Sequence, residues 1–291
     1  MIPISVCIIT KNEAPKLEKC LRALRSYPFE IIVTDTGSSD NSKEIAVQYA
    51  DKVFDFEWIN DFSAARNFCA SKASHNIILS LDTDEYVTNI DLPKLDILLE
   101  QNPKSVGEIM LTNYFRDDND MIVSQDAWLT RLYNRKYFLF SGTIHETITP
   151  KKNVPFNHYH LPIKVDHDGY LASKEKLNEK SLRNIQLLQQ NLEKNPHDPY
   201  LNFQIGQSYL VMRNEELAIH YFRIAMTNTP PVANDYTRIL VKNYGEILLS
   251  MNLLDEAEII LQYYNAYQNN ADYLCLVGRL YILRNEFLKA L

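Results

Sequence analysis

The chain has 291 residues, 46% of them hydrophobic, which is enough for one large domain or two ordinary ones with a substantial core. Its 37 acidic and 30 basic residues leave a net charge of −7, which argues against broad nucleic-acid binding, since that needs a basic face to neutralise phosphates. Cys7, Cys20, Cys69 and Cys275 form no C-x-x-C pair, and three of them fall on apolar stripes, so they read as buried thiols in a reducing compartment rather than a disulfide or zinc framework.

No apolar run approaches the length that spans a bilayer. The N-terminus enters a strand at once, leaving no room for a signal peptide. The expectation is a soluble cytoplasmic protein.

The first half alternates strands and helices. "ISVCII" is a short β-rich run. "PKLEKCLRALRS" follows, with Leu17, Cys20, Leu21 and Leu24 at i, i+3, i+4 and i+7 and Pro15 suited to a first helical turn. "EIIVTD" is the next strand and "NSKEIAVQYA" the next helix, with Ile45, Ala46 and Tyr49 inward. "KVFDFE" (strand), "FSAARNFCASKA" (helix) and "NIILSLD" (strand) complete a pattern that predicts parallel βαβ units. From about residue 105, "GEIMLTNY", "MIVSQDAWLTRLYN", "KYFLFSG" and "LPIKVDHDG" read as strands of a mixed sheet.

The second half reads as helices alone. "KEKLNEKSLRNIQLLQQNLEKNP" is a long amphipathic helix ending at Pro196. Beyond it Gly206, Gly245 and Gly278 are spaced by 39 and then 33 residues, and Ala218, Ala257 and Ala290 each follow their glycine by twelve. A helix pair of about 34 residues with small residues at the crossing is the tetratricopeptide (TPR) pattern. The third unit ends at Leu291, so a capping element is missing or the chain is cut short. Of the seven glycines, none forms G-x-G-x-x-G or a Walker loop, which removes the usual dinucleotide and P-loop signatures.

In an open α/β sheet, ligands bind beyond the C-terminal ends of the parallel strands. The polar residues fall there: Thr10 to Glu13 after the first strand, Thr34 to Asp40 after the second, and Asp82-Thr83-Asp84 in "LSLDTDEY". Asp35 suits hydrogen bonding to a ribose or base. Asp82 and Asp84 are two apart and in extended backbone would point the same way. One or two carboxylates suit Mg²⁺ or Mn²⁺, which keeps sites for waters and a diphosphate. A bare D-x-D describes many solvated turns; two further polar strand ends in the same crevice favour a site.

"SVCIITKNEAPKLEKCLRAL", "EIIVTDTGSSDNSKEIA", "DFSAARN" and "ILSLDTDEY", in that order, resemble family-2 glycosyltransferases of the GT-A fold over residues 4 to 170. "RLYN", "SGTIHE" and the TPR tail resemble the subgroup that includes lipopolysaccharide-core glucosyltransferases and bacteriocin S-glycosyltransferases. The resemblance implies an α/β GT-A domain over 1–172 and an all-α TPR domain over 173–291. It implies that Thr10, Asn12, Glu13, Asp35, Ser38 and Asp40 line the nucleotide site, with Arg66, Asn67, Asp82 and Thr83 bordering the nucleotide or diphosphate. Asp82, Asp84 and, from "DHDGY", His167 would hold the metal. "SGTIHE" puts Glu146 or His145 where related enzymes place the base; many relatives carry "ED" there and this chain has "HE".

The implied activity is a metal-dependent, inverting transfer from a nucleotide sugar, UDP before GDP, to a peptide or glycan. The helical half would bind an acceptor peptide or a protein partner, or form a homodimer. The competing class is a TPR interaction scaffold with an inactive α/β half. A nucleotidyltransferase fits less well, because "TKNEAP" lacks the glycine-rich loop of that class. Taken from sequence, Arg131 is either a phosphate contact or a surface ion pair, with the ion pair slightly favoured; Trp128 could stack on an acceptor sugar but reads better as a core residue, and "FRDDND" as a solvated hairpin turn.

Overall fold

A computed structural model describes residues 3–117, 119–152, 155–227 and 229–290. They divide into two compact units, Met1–Ser173 and Lys174–Leu291.

The first unit is built on β1 (Ile4–Thr10), β2 (Glu30–Asp35), β3 (Lys52–Asp55) and β4 (Ile77–Leu81), which pair in parallel in the order β3-β2-β1-β4. Along β1, Ile4, Val6 and Ile8 enter one core layer while Cys7 enters the other; β2 divides Ile31 and Val33 from Ile32 in the same way. That period of two, with both faces covered, is why these strands read as unbroken apolar runs. Helix α1 (Ala14–Leu24) buries Leu17, Cys20, Leu21 and Leu24 against the first layer, and α2 (Ser42–Tyr49) adds Ala46. Helix α3 (Phe62–Ser71) covers the opposite layer through Cys69 and Ala70.

Residues 85–101, unassigned from sequence, form β5 (Glu85–Ile90) and α4 (Leu92–Gln101). The helix signal is present in the residues: Asp91 accepts a hydrogen bond from the Lys94 N–H at 3.1 Å and Pro93 sits in the first turn. Strands β6 (Val106–Arg116) and β7 (Ile122–Asn134) form a long antiparallel hairpin. In "FRDDND", Asp118 lies outside the described residues, and the Asp117 carboxylate accepts from the Asn119 and Met121 N–H groups to shape the turn. β10 (His158–His167) completes an eight-stranded mixed sheet, β3-β2-β1-β4-β7-β6-β10-β5. The short ribbon β8 (Phe138–Ser141) and β9 (Thr147–Pro150) packs with the second core layer.

The second unit is helical throughout its described residues: α5 (Lys174–Leu192), α6 (Pro199–Val211), α7 (Glu215–Thr227), α8 (Asp235–Ser250) and α11 (Ala271–Leu283), with short pieces α9 (Leu254–Ala257), α10 (Tyr264–Tyr267) and α12 (Phe287–Ala290). Gly206 lets α6 and α7 close on each other, since a Cβ there would lie 2.4 Å from the Phe222 ring. Ala218 and Ala257 are fully buried. The partner of α8 is broken: residues Glu258–Tyr263 form a 3₁₀ turn between α9 and α10. Among the described residues, no helix of either unit is long and apolar enough to cross a membrane.

Glu30, at the end of the sheet remote from the strand C-termini, accepts hydrogen bonds from Ser5 and from the Ser74 N–H and hydroxyl, and pairs with Lys52 at 2.8 Å. Burial raises its carboxyl, but these bonds outweigh it and hold the group at about 2. A depressed folded-state value means the stabilisation is complete above the ordinary value of about 4.3 and disappears as pH falls toward 2. Thermal unfolding of Glu30→Gln should therefore show a lower midpoint than wild type at pH 7, with the gap closing between about pH 4 and pH 2.

Candidate active site

Asn12 takes a left-handed conformation (φ 55°), which asparagine tolerates, and turns its side chain into the loop after β2. Its Oδ1 accepts from the Ser39 N–H at 2.7 Å, and its own N–H donates to Ser38 Oγ at 3.0 Å. Asp40 accepts from the Ser42 N–H and, across the loops, from the Ala14 N–H at 3.2 Å. Burial pushes its carboxyl up, but the bonds from Ser42 and Ala14 more than offset this and lower it. The Glu13 N–H donates to Ser42 Oγ. Ser38, Asp40 and Asn12 therefore lock two strand-end loops together.

Thr10 and Asp35, paired in register on β1 and β2, face the crevice these loops frame. Asp35 Oδ1 accepts from the Gly37 and Ser38 N–H groups at 2.8 Å each. Asp35 Oδ2 and Thr10 Oγ1 are buried without a hydrogen-bond partner among the described residues. Two unmet polar atoms side by side fit a ligand that carries its own donors and acceptors.

The D-x-D segment is a turn, not extended strand: β4 stops at Leu81, and the Glu85 N–H donates to the Asp82 carbonyl at 3.1 Å. The expectation that Asp82 and Asp84 point the same way is corrected by that turn. Asp82 faces two arginines, accepting from Arg66 at 2.6 Å and from Arg131 at 2.8 Å. Glu85, 2% exposed, accepts from the Asp82 N–H and pairs with Arg131 through both oxygens. Burial pushes the Glu85 carboxyl up, against the pull of Arg131. Thr83, between the two aspartates in sequence, is buried. Arg131 is thus no surface ion pair. Its register on β7, alternating with buried Leu132, was the only hint in the sequence.

Arg66 continues the chain, donating to Glu146 Oε1 at 2.5 Å and to Ser80 Oγ at 3.2 Å. Burial lowers its pKa, but Asp82 and Glu146 outweigh that and raise it, so it stays charged. The loop carrying His145 (φ 51°) and Glu146 is pinned to α3: Ser63 Oγ donates to the Gly142 carbonyl at 2.6 Å, and the Phe62 N–H to the Thr143 carbonyl at 2.9 Å. Asn67 spends both halves of its amide on the Phe140 backbone, a supporting use the motif does not reveal. Trp128, expected in the core, is 40% exposed and stacks on His160 with ring centroids 3.7 Å apart.

Asp84 faces His167 instead, Nε2 to Oδ2 at 3.6 Å. His167 Nδ1 lies 2.8 Å from Asn113 Oδ1. An amide oxygen only accepts, so the His167 Nδ1–H donates to Asn113 and the other ring nitrogen, Nε2, faces the carboxylate. Imidazole nitrogen and carboxylate oxygen are both metal-ligand types, and here they stand face to face. Gly169 leaves the room: a Cβ there would lie 2.4 Å from His167 Nε2 and 2.6 Å from Asp84 Oδ2. Among the described residues no set of three His, Cys, Asp or Glu side chains is arranged to hold a metal. A two-donor site is nevertheless in keeping with an ion that retains waters and phosphate oxygens, and the donors fit Mg²⁺ or Mn²⁺. A cavity of about 370 Å³ lined by Asn113, Phe115, Gln125 and Tyr170 adjoins His167, whose ring meets that of Tyr170 edge-on at 5.1 Å.

The family model "Glycosyl transferase family 2" matches residues 5–161, more than half of the chain. The chain belongs to glycosyltransferase family 2. Its mixed sheet with helices on both faces is the GT-A arrangement. Similar curated proteins include the SPbeta prophage-derived glycosyltransferase SunS of Bacillus subtilis, 28% identical over 78% of this chain and 54% of that protein. A TPR repeat-containing protein of Synechococcus elongatus is 29% identical over 71% of this chain and 52% of its own length. The chain spans about half the length of these curated relatives. Among solved structures, Staphylococcus aureus TarS in complex with UDP-GlcNAc aligns over 99% of this chain and 89% of that one, with 13% identity and a TM-score of 0.45.

The family-2 domain thus carries a chain of alternating charge, Glu85–Arg131–Asp82–Arg66–Glu146, in which Asp82 is partly exposed and the Arg131–Glu85 pair is buried. Removing one partner of a buried pair costs about 3–5 kcal/mol, because the other charge is left uncompensated. Arg131→Met should destabilise the protein by about that amount in denaturant unfolding, and adding Glu85→Gln should recover a measurable part of the loss.

Proposed function

We propose that this chain transfers a sugar from a nucleoside-diphosphate sugar to an acceptor hydroxyl or thiol, with inversion at the anomeric carbon. UDP is the nucleotide implied by the family resemblance, with GDP next, and a peptide or glycan is the acceptor. The observation that carries the reading is the Asp84–His167 pair beside Gly169, together with the buried Asp35 Oδ2 and Thr10 Oγ1, which lack a hydrogen-bond partner among the described residues at the C-terminal ends of β1 and β2.

Asp35 and Thr10 bind the nucleoside, in loops that Asn12, Ser38 and Asp40 hold shut. Asp84 and His167 hold Mg²⁺ or Mn²⁺, which when bound neutralises charge on the leaving diphosphate. Asp82, held by Arg66 and Arg131, is fixed as a hydrogen-bond acceptor for the donor rather than as a metal ligand. Glu146, oriented by Arg66, is the base: it takes the acceptor proton as the acceptor atom bonds to the anomeric carbon. The bond from that carbon to the diphosphate breaks, and the nucleoside diphosphate leaves with the electron pair. His145 stands beside the base in the same loop.

Residues 1–172 form the transferase domain and 173–291 a helical-repeat domain that serves a peptide, a protein partner or a homodimer. Three buried thiols suit a reducing, cytoplasmic setting.

Calorimetric titration of UDP and GDP, each with Mn²⁺ and with EDTA, tests the reading on wild type and Asp84→Ala. One nucleotide should bind in the presence of Mn²⁺ and weaken by at least about tenfold, or 1.4 kcal/mol, with EDTA or in the variant. Binding of neither nucleotide under any condition would remove the proposal.

A further inference from the structure

Lys16 stands where a lysine is unfavourable. It lies in the first turn of α1, where the helix dipole favours anions over cations. Its Nζ is 3.6 Å from Asp84 Oδ2, the same oxygen that His167 Nε2 approaches at 3.6 Å, and 3.5 Å from Asp168 Oδ1. Neither separation is a close hydrogen bond, so the ammonium is shared between two carboxylates and committed to neither. Asp168 is otherwise supplied: Tyr86 donates to its Oδ1 at 3.0 Å, and Lys19, one turn along the same helix face, lies 3.4 Å from its Oδ2. Lys19 in turn rests 3.6 Å over the Tyr86 ring.

Lys16 thus stands between Asp168, which Tyr86 and Lys19 also engage, and the Asp84 oxygen that faces His167. Resting on the reading that Asp84 and His167 hold a divalent ion, we infer that Lys16 is a positioning residue with two stations. It neutralises Asp84 before the ion binds, and turns to the donor's diphosphate once the ion has taken its place. The side chain is long and flexible, and 28% exposed, so the swing needs no backbone change. A cation already beside Asp84 opposes arrival of the divalent ion, so metal and donor bind more favourably together than the metal does alone.

The test uses Mn²⁺ alone, followed by electron paramagnetic resonance, and UDP followed by calorimetry at saturating Mn²⁺, with thermal unfolding as a check on the fold. Lys16→Met should bind Mn²⁺ alone about fivefold more tightly, since a neighbouring positive charge is gone, yet bind UDP about tenfold more weakly. Lys16→Arg, which keeps the charge, should stay near wild type in Mn²⁺ affinity. A lysine that merely props Asp84 would weaken both in Lys16→Met, and a bystander would change neither; each result overturns the inference. Lys16→Gln replaces Lys16→Met if the latter perturbs folding. Asp84→Asn separates the two readings: unchanged Mn²⁺ binding there removes the metal site and the inference with it. Loss of Mn²⁺ there, with Lys16→Met unchanged in both titrations, removes the inference alone.

Discussion

Three carboxylates share two guanidinium groups beneath the crevice, and the geometry of the site follows from that ratio. Asp82, Glu85 and Glu146 could not be gathered so closely, two of them buried, without Arg66 and Arg131 between them. The arginines arrive from different elements, Arg66 from α3 and Arg131 from β7, so forming the chain fixes the D-x-D turn against both. Because Asp82 is consumed by this chain, Asp84 is the aspartate left to face His167. One ion-pair chain thereby distinguishes the two aspartates of the D-x-D motif: Asp82 pairs with the arginines, and Asp84 with Lys16 and His167. It also ties the turn to the Glu146 loop, through a single guanidinium.

The remaining polar residues of the crevice divide in the same manner. Ser38, Asp40, Asn12 and Asn67 spend their polar atoms on backbone groups of neighbouring loops. Asp35 Oδ2 and Thr10 Oγ1 have no hydrogen-bond partner among the described residues, and Asp84 and His167 face each other. The first set makes the second set rigid, which is what a site needs if binding is not to be spent on ordering loops.

Much of this was legible from residues alone. The βαβ rhythm is encoded by strands buried on both faces and by the i, i+3, i+4, i+7 stripe of α1, and the glycine spacing marks close helix crossings such as Gly206 against Phe222. What a motif cannot convey is which atoms are already engaged. Arg131 looked like a surface charge because its partners, Asp82 in a turn and Glu85 on β5, lie 49 and 46 residues away. Asp82 and Asp84 looked alike because the turn between them depends on a bond from Glu85. Trp128 looked like core because exposure on a strand is decided by which face is covered, and nothing in "DAWLTR" says so. Helix α4 is written plainly in its Asp91 cap and Pro93.

The proposed division of labour between Asp82 and Asp84 is open to direct test. Anomalous diffraction at the manganese edge, from crystals grown with Mn²⁺ and UDP, tests it in one experiment. The account predicts a single manganese peak between Asp84 and His167, with Asp82 still bound by Arg66 and Arg131. A manganese ion coordinated by Asp82, with either arginine displaced, would contradict it.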